Sequence, residues 1–193
     1  GEALSLTNLG LVHTHLREYQ TAREKCEQAL AIQRDIGDRS TEGYSLTYLG
    51  HALAGLGEFE AAAQVYQEAM ALRRELGERS AAIDDLAGLA RMALVQNQLE
   101  KARSHVEEIL AWLDENGTGG IEYPLQVYLT CYQVLQATSN GVVKAQAQAI
   151  LTKAHTRLLE RAGGISDPDL RRSFLENVAA NREIIELWTV VND

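Results

Sequence analysis

The stretch EGYSLTYLGHALAGLGEFEAAAQVYQEAMALRRELG, residues 42–77, decides the architecture. It reads as two amphipathic helices joined by a tight turn. A copy lies forty positions earlier: EALSLTNLGLVHTHLREYQTAREKCEQALAIQRDIG, residues 2–37, aligns with it without a gap. Leu6, Leu9, Gly10, Tyr19, Ala22 and Ala29 fall under Leu46, Leu49, Gly50, Phe59, Ala62 and Ala69, so side-chain size recurs along with polarity. Self-similarity at a fixed period marks a stacked repeat architecture.

Working outward, Leu6, Leu9, Gly10 and His13 share one side of a helix. Glycine in a helix interior costs about 1 kcal/mol relative to alanine. Its recurrence at Gly10 and Gly50 therefore predicts a close helix crossing. The facing helix carries Ala22, Cys26 and Ala29, and the same four-then-three spacing returns as Ala62, Tyr66 and Ala69. Gly37 suits a left-handed helix end and Asp38 a cap for the next helix; Gly77 and Glu78 repeat this less well, because Glu is a poorer cap. Two-residue linkers of this kind predict antiparallel neighbours.

A third unit keeps the frame through Leu86, Leu89, Ala90, Leu99, Ala102, Val106 and Ile109, and ends in Asn116-Gly117-Thr118-Gly119-Gly120. Beyond it the register slips. Leu125, Tyr128, Leu129, Tyr132 and Leu135 give a further helical stripe, then Ala137-Thr138-Ser139-Asn140-Gly141 reads as a loop. Ala147, Leu151 and Ala154 restore the spacing on a helix expected to reach Ala162, so residues 122–162 read as a degenerate fourth unit with a longer first helix. The character changes at Gly163-Gly164. Asp167-Pro168 is a helix start signal, with Leu170, Phe174 and Val178 on one face. Asn181 is expected to cap a last helix bearing Ile184, Leu187, Trp188 and Val191. This closing pair suits the end cap that a repeat array needs.

The phrase Leu49-Gly50, followed by Phe59, Ala62, Tyr66 and Ala69, resembles the tetratricopeptide repeat, with Leu-Gly in the first helix, an aromatic at the turn and Ala, aromatic, Ala in the second. The usual unit is about 34 residues. The longer unit here is similar to repeats of kinesin light chains and of bacterial signal-transduction ATPases with numerous domains. IGDRSTEGYSLTYLG, LGEFEAA and FLENVAANREIIELW resemble the sensor arrays of the latter. The likeness is carried by about the first 110 residues. HEAT-type arrays share the period, but the Leu-Gly and Ala spacing favours the tetratricopeptide pattern. The resemblance implies an all-α, right-handed solenoid of antiparallel helix pairs. It divides into an array over 1–162, with units 2–41, 42–81, 82–121 and 122–162, and capping helices over 163–193.

Composition bounds the function. A net charge of −9 and a pI near 5.1 argue against nucleic acid as the main partner, since such proteins gather Lys and Arg on one face. Two cysteines, Cys26 and Cys131, form neither a disulfide framework nor a metal spacing, which points to a reducing cytoplasm. No window approaches the ~18 apolar residues of a membrane span. Position 1 is Gly rather than Met, and repeat-like sequence begins at once, so the sequence reads as part of a longer protein. Its missing domains would perform any nucleotide chemistry.

No phosphate loop is present, because Gly117–Gly120 lacks the lysine and the strand. His13 and His15 diverge by about 200° on a helix; the former falls on a core position, the latter on the inner surface. No nucleophile has a base-orienting partner. The chain is therefore expected to be non-catalytic, without metal or cofactor. The concave wall remains, lined in the resembling family by the first helix of each unit. Carrying that frame over gives the columns Leu4, Tyr44, Asp84; Thr7, Thr47, Ala87; Asn8, Tyr48, Gly88; and Leu11, His51, Arg91. Asn8, Tyr44, Tyr48, His51 and Arg91 become the candidate groove for a peptide of acidic and aromatic character, with Tyr giving contact area and Arg a fork for carboxylate. The Lys and Asn carboxylate clamp of chaperone-binding members is absent. Leu4, Leu6, Leu9 and Leu11 arrive without a preceding helix, so the alternative is a scaffold that self-associates through its uncovered first unit.

Overall fold

The computed structural model describes residues 1–138 and 141–192. Its elements are helices α1 (Glu2–His15), α2 (Tyr19–Ile36), α3 (Arg39–Leu56), α4 (Phe59–Glu75), α5 (Ala82–Val95), α6 (Leu99–Asn116), α7 (Pro124–Ala137), α8 (Gly141–Gly163), α9 (Pro168–Glu176) and α10 (Ala179–Asn192). Each of the first eight packs on its neighbour in sequence. In addition α1 touches α3, α3 touches α5 and α5 touches α7, whereas α2, α4, α6 and α8 do not touch one another. Helices that meet on one side and splay on the other bend the stack. The result is an all-α solenoid of antiparallel pairs with α1, α3, α5 and α7 on its concave side.

The small-large-small column explains why the pairs close. Ala22, Cys26 and Ala29; Ala62, Tyr66 and Ala69; Ala102, Val106 and Ile109; and Ala147, Leu151 and Ala154 are all 0% exposed. The middle residue of each column fills the crossing while small flanks, on both sides in three of the pairs and on one side at Ala102 in the third, admit the facing backbone. Tyr66 is held on two sides: a Cβ built on Gly50 of α3 would lie 2.6 Å from its ring, and one on Gly88 of α5 would lie 2.8 Å from it. Gly50 thus sits at the expected crossing. Gly88, expected to face the groove, lines it and is also a second wall of the Tyr66 slot.

Gly37 ends α2 at φ +73°, a left-handed conformation that glycine adopts without Cβ strain, and the Asp38 carboxylate accepts from the Thr41 N–H at 3.3 Å. The later connections differ from the two-residue expectation. Six residues, Leu76–Ala81, separate α4 from α5. Glu78 caps nothing there, its carboxylate accepting from Ser40 at 2.9 Å and Arg73 at 3.2 Å. In the fourth pair the longer helix is the second: α8 has 23 residues and α7 only 14. Of the expected loop at 137–141, Ala137 ends α7 and Gly141 begins α8; Ser139 and Asn140 lie outside the described residues.

The tail packs on the last pair through α10, whose Ile184 is fully buried, and through a stacked His155–Trp188 ring pair at 4.5 Å. Asp167 caps α9 as its sequence predicts, accepting from Asp169 and Leu170 N–H at 2.9 Å. Asn181 does not cap α10. The helix begins at Ala179, and Asn181 is buried in its first turn, donating to the Phe174 carbonyl at 2.8 Å. Nor does α9 bury the expected face, since Leu170 is 64% exposed.

Candidate functional site

The concave side holds a groove of about 650 Å³. Leu11 and His15 of α1, Tyr19 of α2, His51 of α3 and Phe59 of α4 reach it from the first two pairs. Arg91 and Met92 of α5 continue the lining, and Arg161, Phe174 and Val178 bring in the C-terminal helices. The tail therefore closes one end of the groove rather than only covering the end of the stack.

Of the five residues the sequence points to, His51 and Arg91 line the groove. They are joined through Tyr66, whose hydroxyl lies 2.6 Å from His51 Nδ1 and receives a hydrogen bond from Arg91 Nη2 at 3.3 Å. With Arg91 donating to the oxygen, the phenolic hydrogen is free to donate to Nδ1, which puts the His51 proton on Nε2. Burial first, then the charge of Arg91, holds the His51 imidazole down at about 3, and burial pushes the Tyr66 phenol up to about 12. His51 is thus a neutral group at any physiological pH, not a second cation.

Tyr48 is buried, its ring 6.4 Å from that of His51 and its hydroxyl donating to Glu122 Oε1 at 2.7 Å. Tyr44 stands next to it, 6.4 Å between rings, with the Arg73 guanidinium 4.3 Å over its face. Asn8 is not brought to this cluster and lies exposed on α1.

Sequence reasoning missed the strand of chain that crosses the wall. The connection from Gly117 to Tyr123 carries two left-handed glycines, Gly117 at φ +66° and Gly120 at φ +78°. Its end is clamped by Asp84, whose carboxylate accepts from the Glu122 N–H at 2.8 Å and the Tyr123 N–H at 3.0 Å. Burial raises the Asp84 carboxyl to about 6, against the pull of these two amides. The Tyr123 ring then lies 5.9 Å from that of His51 and 6.3 Å from that of His15. An acidic-aromatic dipeptide of the chain's own thus occupies part of the wall that the sequence assigns to an acidic-aromatic ligand. The signal for it was Asp84 itself, an acid in a column otherwise filled by Leu4 and Tyr44.

Beside the exposed Glu122, the lining holds two cations that carry no ion pair among the described residues. Arg91 makes no ion pair among the described residues, and its Nε is buried without a hydrogen-bond partner. Arg161 lies against Phe174, 5.9 Å from the ring centre, and likewise meets no carboxylate among those residues. Both cysteines are buried, which pushes each thiol up to about 12 and leaves it unreactive. Among the described residues no group of three or more His, Cys, Asp or Glu is placed to hold a metal ion. No helix there is long and apolar enough to cross a membrane. No curated protein matches the chain. The tetratricopeptide repeat family model matches residues 1–75, which are helices α1 to α4, and so supports a tetratricopeptide-repeat protein.

Proposed function

We propose that this chain is a non-catalytic binding module whose concave groove takes an extended, acidic segment of a partner protein. Tetratricopeptide repeats generally mediate protein–protein interaction, and residues 1–75 match that repeat. The observation that carries the finer reading is the Arg91 guanidinium, directed at the groove with its Nε buried and unpartnered. A carboxylate arriving in the groove would give this guanidinium the ion pair that the described residues do not. Apolar side chains of the same segment would rest on Leu11, Phe59 and Met92. Tyr48 and His51 contribute the rigid wall, with residues 1–162 as the binding array and 163–193 closing its end. On the resemblance of IGDRSTEGYSLTYLG and FLENVAANREIIELW, the module would serve as the sensor or interaction end of a larger cytoplasmic signalling regulator.

The test is a display selection of peptides on the whole chain, followed by titration of the selected peptide against Arg91→Glu. The selected peptides should be acidic. Arg91→Glu should weaken binding by about 2 kcal/mol or more, the cost of leaving one side of a desolvated charge pair unmatched, while leaving thermal unfolding nearly unchanged. Raised salt should remove only part of the affinity, since apolar contact is not screened. Peptides without acidic residues, or an affinity indifferent to Arg91→Glu, would place recognition elsewhere.

A further inference from the structure

The period of the chain lets each surface of the first pair be compared with its covered equivalents forty and eighty positions later. Ser45, Tyr48, Leu49 and Ala52 of α3 are buried, and so are Asp85, Gly88, Leu89 and Met92 of α5. Both helices lie against the pair before them. The same four positions of α1 are Ser5, Asn8, Leu9 and Val12, and all four are exposed, Leu9 at 43% and Val12 at 49%. The rim of the second pair can be compared in the same way. In the second pair Glu42 receives Arg34 at 2.7 Å and Glu58 receives Arg23 at 3.1 Å, both arginines coming from the preceding pair, and Glu75 receives Arg39, the residue that opens α3, at 2.7 Å. The matching positions of the first pair are Glu2, Glu18 and Asp35, all exposed. Glu2 and Asp35 meet no cation among the described residues, and Glu18 meets only His13 of its own pair, at 2.5 Å.

We propose that this face of α1 and α2 is the receiving half of a protein interface. Its partner is a helix pair of the same build, presenting an apolar seam to Leu9 and Val12 and arginines to Glu2 and Glu18. Charge decides against a second copy using the same face, because that would set these carboxylates against their own counterparts. The far end of the stack is not available to a copy either, since α10 lies over α7 and α8. The proposal stands apart from the groove and survives its failure.

The probe is the chain's own first pair: residues 2–41 duplicated in phase directly before Glu2, which brings copies of Arg23, Arg34 and Arg39 to the three acids. Amide exchange over Leu9–Val12 should slow at least tenfold relative to the unextended protein, and the melting temperature should rise. The triple reversal Glu2→Lys, Glu18→Lys, Asp35→Lys should remove a large part of that rise in the extended protein and lower the melting of the unextended one by less, since there it loses only the Glu18–His13 contact and the acid in the first turn of α1. Unchanged exchange, a triple reversal without effect in the extended protein, or an extended protein that does not fold would each overturn the proposal. Sedimentation of the unextended protein should give a monomer at every concentration. Dimers abolished by Leu9→Asp would assign the face to a second copy and overturn it too.

Discussion

Two seams between repeats use the same three positions with opposite chemistry, and a third seam uses none. Between the first and second pairs, Gln33 donates to Thr7 Oγ1 at 3.0 Å, and that oxygen lies 2.7 Å from Ser45 Oγ, a neutral buried triad. Forty residues on, Arg73 donates to Thr47 Oγ1 at 3.2 Å and pairs with Asp85 at 3.1 Å, while Thr47 donates to Asp85 at 2.7 Å, a buried ionic triad. Forty further, the seats hold Ala87, Leu113 and Leu125, all buried and apolar. The packing frame therefore does not require any one chemistry at the seam. Neutral, ionic and apolar fillings all close it, the neutral one with Gln33 Oε1 left buried and without a partner.

The sharpest way to break this comparison is to leave a seat half filled. Arg73→Leu strands the Asp85 carboxylate, 0% exposed, without its cation. It should cost about 3–5 kcal/mol, as removal of one partner of a buried ion pair does, read as a lowered midpoint in urea unfolding. Next in size is the frame itself. Tyr66 lies between Gly50 and Gly88 and cannot retreat from either, so Gly50→Leu should overpack the crossing and cost about 1–3 kcal/mol. Unfolding identical to the parent would mean that the slot is softer than its 2.6 Å clearance indicates. The neutral seat should be the most forgiving: Gln33→Leu loses one hydrogen bond to Thr7, which keeps Ser45, at a cost of about 1 kcal/mol. A loss as large as that of Arg73→Leu would erase the distinction between the two seams.

A pH dependence should also be confined to the second seam and its neighbour. Burial, opposed by Arg73, pushes the Asp85 carboxyl up to about 7, and Asp84 beside it rises to about 6. Between the ordinary carboxylate value of 3.8 and these raised ones, the folded chain holds protons that the unfolded chain has released. Stability should therefore fall as pH rises from about 4 to about 7, and the loss is complete above that. Asp85→Asn should flatten the slope of melting temperature against pH over this window; an unchanged slope would assign the titration to other groups.

The sequence could show the frame because the frame is local. Leu-Gly in one helix and Ala, large, Ala in the next are spaced within forty residues, and the 0% exposure of every such column follows from that spacing alone. The seam triads were not legible. Thr7 and Ser45 are 38 residues apart, and so are Thr47 and Asp85, and only the stacking of one pair on the next turns two ordinary polar positions into one buried cluster. For the same reason the Thr7 and Thr47 column, assigned to the groove, is buried in the seam. At the groove, His51 and Arg91 could be placed by period. The crossing of Glu122 and Tyr123 could not, because both precede α7 and a helical period does not show which wall a connection crosses. Asn181 was misread because Asn before an apolar stripe also suits a buried tie between two short helices.

The account's central claim is that the three seams are one seat with interchangeable fillings. The most direct test is the triple variant Thr47→Ala, Arg73→Leu, Asp85→Leu, which gives the second seam the residues of the third. Replacing a buried ionic cluster whole by well-packed apolar side chains is often neutral or stabilising by about 1–4 kcal/mol. In urea unfolding the triple variant should therefore match or exceed the parent while Arg73→Leu alone falls well below it. A triple variant as unstable as the single one would show that the second seam depends on its ions, and that the seats are not equivalent.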